Sequence, residues 1–276
     1  MLVRTLAQLE AEGRTYALGD FKVIRRLNKS EGLHFSVSEA QTNGKGQFDL
    51  WYKNHWEVNF VRAGSATIED RTSGDTWPLA PGTLYGVGPH DKHRLRYTDG
   101  AGLRIISLFN PPTTGSERHD ADGAFPPTGE DIPKGPGSMF VRTAEDVRAA
   151  GREQVIDDGH ATVQHYVTQA DGVGFSVHSV LLAAGSDLDL WYKHHWEANV
   201  VLKGSCDVTD RASGEVHSLG ADDFYLVGPK DRHRFQARTD VHILSIFDPP
   251  ITGTEVHDEE GTFPPTGPVP AGPGSD

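Results

Sequence analysis

LWYKNHWE, at residues 50–57, returns almost unchanged as LWYKHHWE at residues 190–197. Aromatic residues at this density favour β-strands, in which residues two apart face the same side. The side chains of His55 and Glu57 therefore share one face, and so do those of His195 and Glu197. A carboxylate that faces the interior has to be paired, protonated or bound to a metal ion. The stretch therefore predicts a buried polar site that the chain makes twice.

The duplication extends over the whole chain of 276 residues. MLVRT at residues 1–5 returns as MFVRT at 139–143, and FPPTG at 125–129 returns as FPPTG at 263–267. The Pro- and Gly-rich segment from about 126 to 138 is typical of a linker. Units this long can each bury a core, unlike the short units of a solenoid. The sequence therefore predicts two domains, 1–138 and 139–276.

Each half reads as short strands separated by turns. WEVNFVRAGSATI at 56–68 is rich in β-branched and aromatic residues, and RTSG at 71–74 provides a turn before the next strand. Residues 102–109 form another predicted strand. Only residues 5–12 and their counterparts 143–150 look helical. Many short strands with little helix predict an all-β protein, with a sandwich or small barrel in each half.

Composition excludes several classes of function. A formal net charge of −13 and a pI near 5.5 argue against a nucleic acid or an anionic membrane as the partner, because phosphate binding needs a basic surface. No apolar run approaches the length of a membrane span, and the N-terminus lacks signal-peptide features, so we expect a cytoplasmic protein. Cys206, the single cysteine, excludes an internal disulfide and a cysteine-based zinc cluster, and is expected to be buried on a strand.

The residues that follow each His-x-Glu pair resemble a known family. His55-x-Glu57, then Gly64, then Pro81-Gly82 with Tyr85 three residues further on, resembles the two cupin motifs with a tyrosine in place of the usual histidine of the second motif. WYKNHWE, PGTLY, HDKH and FNPPTTGSERHDADGAFP together look like ectoine synthase. The resemblance covers nearly the whole of each half and implies two tandem cupin barrels of the jelly-roll type, with short N-terminal helical segments.

The resemblance also implies an activity and a metal centre. The family uses iron to close N-γ-acetyl-diaminobutyrate into a cyclic amidine with loss of water, which makes it a hydro-lyase. In the first half the implied metal ligands are Glu57, Tyr85 and His93. A carboxylate, a phenol and an imidazole suit Fe(II), with Zn(II) and Mn(II) as alternatives. The implied ligands in the second half are Glu197, Tyr225 and His233.

A second set of residues would line the substrate pocket. By resemblance these residues hold the small amino acid derivative and assist proton transfer in each half. They are Tyr52, His55, Glu117 and His119 in the first half and Tyr192, His195, Glu255 and His257 in the second. The resemblance implies a homodimer of single cupin units for the family. The fused chain is therefore expected to form an intramolecular pseudo-dimer, with a further homodimer left open.

Simpler interpretations remain open at this point. A lone histidine such as His55 is often a hydrogen-bonded core residue, and the Glu, Tyr and His of one half could form a buried polar network without metal. The cupin barrel hosts many reactions, so an iron-dependent oxygenase, lyase or isomerase is an alternative. A non-catalytic protein that binds a small zwitterion is another.

The pocket departs from the family pattern at several positions. Asn59 and Asn199 lie two residues beyond each glutamate, where the family usually has an apolar residue. Arg25 and Arg26 have no arginine counterpart in the second half, where HATVQHYVTQ replaces FKVIRRLNKS. Ser38 and Ala40, like His178 and Val180, occupy a strand that contributes polar contacts in the family. The metal set is therefore complete in both halves, but the substrate shell is altered.

Overall fold

The computed structural model of the chain describes residues 1–18, 21–42, 44–97, 102–156 and 159–273. Nearly all of its regular structure is β, which confirms the all-β prediction. In these ranges no helix is both long and apolar enough to cross a membrane. Two short α-helices match the predicted helical segments: α1 spans Leu6–Ala11 and α2 spans Ala144–Ala149.

The strands follow the same order in the two halves. The strands of the first half are β1 Leu2–Arg4, β2 Thr15–Leu18, β3 Phe21–Leu27, β4 Ser36–Thr42, β5 Gly46–Leu50, β6 Trp56–Ala63, β7 Ala66–Asp70, β8 Thr76–Leu79, β9 Leu84–Val87, β10 His93–Tyr97 and β11 Arg104–Asn110. The strands of the second half are β12 Phe140–Arg142, β13 Glu153–Ile156, β14 Ala161–Val167, β15 Ser176–Leu182, β16 Asp187–Leu190, β17 Trp196–Lys203, β18 Ser205–Asp210, β19 Val216–Gly220, β20 Phe224–Val227, β21 His233–Ala237 and β22 Val241–Asp248.

The chain forms two compact units, which we call the first and the second unit. The first unit is Leu9–Glu145, and the second combines Met1–Gln8 with Asp146–Asp276. Each contains a seven-stranded and a four-stranded antiparallel sheet. The sheets of the first unit run β12-β9-β6-β11-β4-β3-β2 and β5-β10-β7-β8, and those of the second run β1-β20-β17-β22-β15-β14-β13 and β16-β21-β18-β19.

A core of aliphatic and aromatic side chains fills each unit. In the first unit it includes Val61, Ile68 and Leu79, all almost fully buried. In the second it includes Val201, Val208 and the predicted buried cysteine, Cys206, which lies on β18. Side chains from the larger and the smaller sheet contribute to each core, as expected of a two-layer β architecture. The four-stranded sheet thereby delivers one histidine of each candidate site to the interior.

The units differ from the sequence halves 1–138 and 139–276 at their N-terminal segments. Strand β1 pairs with β20 in the second unit, with Val3 opposite Tyr225. Strand β12, which begins the second half, pairs with β9 in the first unit, with Val141 opposite Tyr85. Each half thus donates its first strand to the unit built mainly from the other half. The sequence repeat cannot reveal this exchange, because the two exchanged segments are nearly identical.

The predicted linker between the halves is packed rather than free. Trp56 is buried, and its Nε1 donates a hydrogen bond to the carbonyl oxygen of Pro133 at 2.9 Å. A Cβ atom on Gly135 would lie 2.1 Å from the Trp56 ring, so only glycine fits there. Trp196 makes the same bond to Pro270 in the second unit, at 3.1 Å. Trp56 and Trp196 therefore hold the Pro- and Gly-rich segments.

The strand exchange predicts which amides lose protection when an edge strand is broken. Val3→Pro removes a backbone donor from β1, so amide exchange should accelerate in β20 and not in β9. The matched variant Val141→Pro should accelerate exchange in β9 and not in β20. Hydrogen exchange followed by mass spectrometry measures both strands at once. Faster exchange of β9 in Val3→Pro would show that the strands are not exchanged.

Candidate functional site

A row of polar residues crosses the interior face of the larger sheet in the first unit. Ser107 lies opposite both Ser38 and Asn59, and Asn59 lies opposite Tyr85. Directly opposed residues of neighbouring strands project from the same face. Glu57 precedes Asn59 by two residues and therefore shares that face. In the second unit the row consists of His178, Ser245, Asn199 and Tyr225, with Glu197 beside it.

Glu57 is a buried carboxylate with no cationic partner among the described residues. Its side chain is 6% exposed, and burial raises its pKa to about 7, although Asn59 and Ser107 partly offset this rise. Ser107 Oγ donates to Asn59 Oδ1 at 2.6 Å, which orients the amide. The Nδ2 donor of Asn59 makes no hydrogen bond of its own. Burial raises the pKa of Glu197 to about 7 in the same setting.

Tyr52 and Tyr85 lie close to this carboxylate. Burial raises the pKa of each phenol well above its usual value, and the negative charge of Glu57 raises it further. The ring of Tyr52 also lies near His93, with 6.1 Å between the ring centroids. In the second unit the rings of Tyr225 and His233 are 6.5 Å apart. The carboxylate, the phenol and the imidazole of each proposed ligand set therefore share one buried region.

The histidine at the site is held in a defined tautomer. His93 Nδ1 donates to the carbonyl oxygen of Asp91 at 3.0 Å, and its Nε2 is buried without a hydrogen-bond partner. Because a carbonyl oxygen only accepts, the proton lies on Nδ1 and the lone pair on Nε2. Burial lowers the pKa of His93 to about 4, so the ring is neutral at pH 7. His233 has the same contact with Asp231 and the same unpartnered Nε2.

These donors fit a metal ion. Metal-binding histidines usually donate one ring N–H to a carbonyl or carboxylate and offer the other nitrogen to the metal, as His93 Nε2 is placed to do. A cation would also supply the partner that Glu57 lacks. In the described ranges no three His, Cys, Asp or Glu side chains cluster closely enough to hold a metal, so a site here needs a further donor such as Tyr85.

A tyrosine–histidine pair lies beside the proposed ligands. The Tyr52 hydroxyl and His119 Nε2 are 2.9 Å apart, and the His119 ring stacks on Phe125 with 4.5 Å between centroids. Burial lowers the pKa of His119, an effect that Asp120 partly offsets. The same arrangement recurs in Tyr192, His257 and Phe263, with a hydrogen bond of 3.1 Å. The structure therefore joins two of the predicted pocket residues in each unit.

His55 and Glu117 are bound mainly by their own surroundings. Both ring nitrogens of His55 meet backbone carbonyl oxygens, those of Pro111 at 2.8 Å and Pro126 at 3.1 Å. Its ring still lies 6.0 Å from Phe109, on the pocket side. The Glu117 carboxylate accepts hydrogen bonds from the backbone of its own turn, and these lower its pKa against the effect of burial.

The counterparts in the second unit differ in one respect. His195 Nε2 is 3.0 Å from Thr266 Oγ1, and its Nδ1 has no hydrogen-bond partner. Burial lowers the pKa of His195 to about 4, although the Glu255 carboxylate opposes this shift. Glu255 therefore lies close enough to act electrostatically on this side of the second pocket.

Sequence reasoning misses the aromatic walls and also Ser107 and its counterpart Ser245. Phe109 and Phe125 both contact Tyr52, with 5.2 Å between centroids in each case. Ser107 orients Asn59, as described above. The alternation Ile105, Ser107, Phe109 on β11, repeated on β22, could have indicated which residues face the pocket.

Comparison with known proteins gives the relationship of the chain. A sequence model described as ectoine synthase matches residues 1–129 and again residues 139–267. The chain belongs to the ectoine synthase family. L-ectoine synthase of Sphingopyxis alaskensis is 43% identical over 126 residues, which cover 46% of this chain and 90% of that protein. L-ectoine synthase of Saccharopolyspora erythraea is 38% identical over 126 residues, 46% of this chain and 92% of that protein.

Both the tandem form and the enzyme class predicted from the sequence are confirmed. The ectoine synthase model matches once in each half, and ectoine synthases are hydro-lyases. Solved structures show the fold of the whole chain. Oxalate decarboxylase of Lactobacillus farciminis has a TM-score of 0.65 at 14% identity, over 91% of this chain and 87% of that one. Protein Ylba of E. coli has a TM-score of 0.60 at 11% identity, over 88% and 89%. The predicted tandem cupin fold is thus confirmed.

The site geometry predicts the tautomer of the two interior histidines. In the metal-free ectoine synthase-like chain at pH 7, His93 and His233 should both carry their proton on Nδ1. Ring ¹⁵N chemical shifts from NMR spectroscopy distinguish the two tautomers. His217, whose ring lies near Glu215 outside this site, serves as the reference. Protonation of Nε2 in His93 and His233 would contradict their suitability as metal ligands.

Proposed function

We propose that the chain is a metal-dependent cyclodehydratase that closes an N-acetylated diamino acid, such as N-γ-acetyl-L-2,4-diaminobutyrate, into a cyclic amidine with loss of water. Its relatives bear the name L-ectoine synthase, and the ectoine synthase model matches both halves. The observation that carries the proposal is the convergence of a buried carboxylate, phenol and neutral imidazole beside a tyrosine–histidine pair. This arrangement is present in both units.

The proposed metal ligands are Glu57, Tyr85 and His93, with Glu197, Tyr225 and His233 in the second unit. Their donor types suit Fe(II), with Zn(II) or Mn(II) as alternatives. A bound metal ion would supply Lewis acidity toward the acetamide carbonyl of the substrate. The unpartnered Nε2 of His93 and the uncompensated charge of Glu57 support this assignment.

Side chains of the pocket would orient the substrate and move its protons. Ring closure forms one C–N bond and expels the acetamide oxygen with two protons as water. The Tyr52–His119 pair can hold or transfer a proton between the phenol oxygen and Nε2, and His119 is neutral at pH 7 because its pKa is lowered. Phe109 and Phe125 pack against Tyr52 and exclude bulk water from this side of the site.

Metal content should follow the number of intact ligand sets. The unaltered chain is expected to bind about two metal ions, Glu57→Ala or Glu197→Ala about one, and the double variant none, because each carboxylate supplies the charge of its site. Elemental analysis after dialysis measures the ratio. Glu117→Ala, which removes a carboxylate outside the proposed set, is the control. Retention of two ions by the double variant would refute the ligand assignment.

Removal of the phenol hydroxyl should slow ring closure more than it weakens metal binding. We expect Tyr52→Phe with Tyr192→Phe to lower kcat by roughly a hundredfold, the lower range for general acid–base catalysis, with metal content unchanged. Mass spectrometry of the substrate, following loss of one water, measures turnover. Trp51→Phe with Trp191→Phe is the control. If no N-acetylated diamino acid loses water with the metal-loaded chain, the proposed function is wrong.

A further inference from the structure

The two pockets differ most at the end of the polar row. In the first unit the row continues from Ser38 to Arg25, which lies opposite it on β3. In the second unit the same two positions hold His178 and His165, again directly opposite each other. A charged residue and a small one are therefore replaced by two imidazoles. The replacement alters the interior face of one pocket only.

Arg25 presents an unpaired positive charge at this position. Its guanidinium lies over the ring of Tyr16, 4.1 Å from the centroid, and makes no ion pair with any described carboxylate. A Cβ atom on Gly115 would lie 2.7 Å from Arg25 Cδ, so the side chain runs along the loop that carries Glu117. An unpaired guanidinium on the interior face of a pocket favours a ligand with a carboxylate.

The second pocket has a closed histidine pair instead. His165 Nδ1 and His178 Nδ1 are 2.8 Å apart, and His178 Nε2 lies 2.9 Å from Ser176 Oγ. A hydrogen bond between two ring nitrogens requires that one of them be unprotonated, so the pair carries at most one positive charge. Burial lowers the pKa of both rings, and the other histidine lowers the pKa of His178 further. The pair is therefore neutral at pH 7.

The histidine pair belongs to the pocket and has one free hydrogen-bonding atom. The ring centroid of His178 lies 5.6 Å from that of Phe247, and the Phe247 centroid lies 5.1 Å from that of Tyr192. His165 is 5% exposed, and its Nε2 has no hydrogen-bond partner. The Glu255 carboxylate acts on both His165 and His195. The guanidinium of Arg152 also acts on His165, but it is paired with the Asp171 carboxylate at 3.5 Å. A carboxylate brought there would meet no unpaired cation among the described residues.

We propose that the second pocket takes an N-acetylated diamine whose corresponding end carries no carboxylate, while the first takes an N-acetylated diamino acid. The inference rests on the proposed function for the chemistry and on His165 and His178 for the selectivity. The carboxylate takes no part in ring closure, in which the amine forms a C–N bond and its two protons leave with the acetamide oxygen as water. The same reaction is therefore open to both substrates.

Binding to the metal-free chain tests the selectivity without turnover. The probes are N-γ-acetyl-2,4-diaminobutyrate and its carboxylate-free analogue N-acetyl-1,3-diaminopropane, followed by isothermal titration calorimetry. The diamino acid should bind tightly at one site per chain, and the analogue should prefer the other site by about tenfold or more. Binding of the diamino acid at two equivalent sites would overturn the inference.

Exchange of the two residue pairs should exchange the selectivity. His165→Arg with His178→Ser should create a second tight site for the diamino acid, and Arg25→His with Ser38→His should weaken the first by about tenfold or more. Circular dichroism checks that both variants fold. If only one of the variants folds, that variant and the number of tight diamino acid sites in the unaltered chain still test the proposed selectivity. An unchanged number of tight sites in a folded variant would count against the proposal.

Activity then separates this inference from the proposed function. With metal loaded, Glu197→Ala should cyclise the diamino acid, and Glu57→Ala should cyclise the diamine in preference. An equal preference for the diamino acid in both variants would refute the selectivity and leave the proposed function standing. Absence of water loss from either compound would refute the proposed function, while calorimetry would still decide the selectivity.

Discussion

The site in each unit depends on a carboxylate that is buried with no cation beside it in the part of the chain that the structure describes. Burial favours the neutral form of Glu57, and the amide and hydroxyl near it restore only part of the lost hydration. Two groups near it could donate an electron pair to a cation. They are the phenol oxygen of Tyr85 on β9 and the Nε2 lone pair of His93 on the smaller sheet. The two-layer fold brings side chains from separate sheets into one buried region.

Much of this arrangement could be predicted from the sequence. Turn residues and β-branched runs indicated the short strands, and strand parity placed Glu57 on the interior side. The prediction that residues 50–57 form one strand was wrong, because β5 ends at Leu50 and His55 lies in the connection before β6. Two features could not be predicted. The register that aligns Ser38 with Ser107 depends on pairing between strands that are distant in the sequence, and the exchange of β1 and β12 is hidden because the two segments have almost the same sequence.

Individual roles were also beyond sequence reasoning. The sequence does not distinguish a histidine whose two ring nitrogens contact carbonyl oxygens, such as His55, from one whose Nε2 has no hydrogen-bond partner, such as His93. The difference lies in which backbone oxygens the fold brings within hydrogen-bonding distance of the ring. The tandem repeat makes such differences informative, because each unit is a reference for the other. The two units share the residues of the proposed reaction, and they differ at Arg25 and His165.

The exchanged first strands have a consequence for how the two halves can be separated. A protein cut after residue 138 would keep β1, whose partner lies in the missing half, and would leave the edge of β9 open. The isolated half could close its sheet only by recruiting the first strand of a second molecule. Fusion of the two halves therefore provides each sheet with its exchanged first strand within one chain, whereas separate single-unit chains would have to associate to obtain it. When the halves are recombined, residues 1–8 should be treated as part of the second unit.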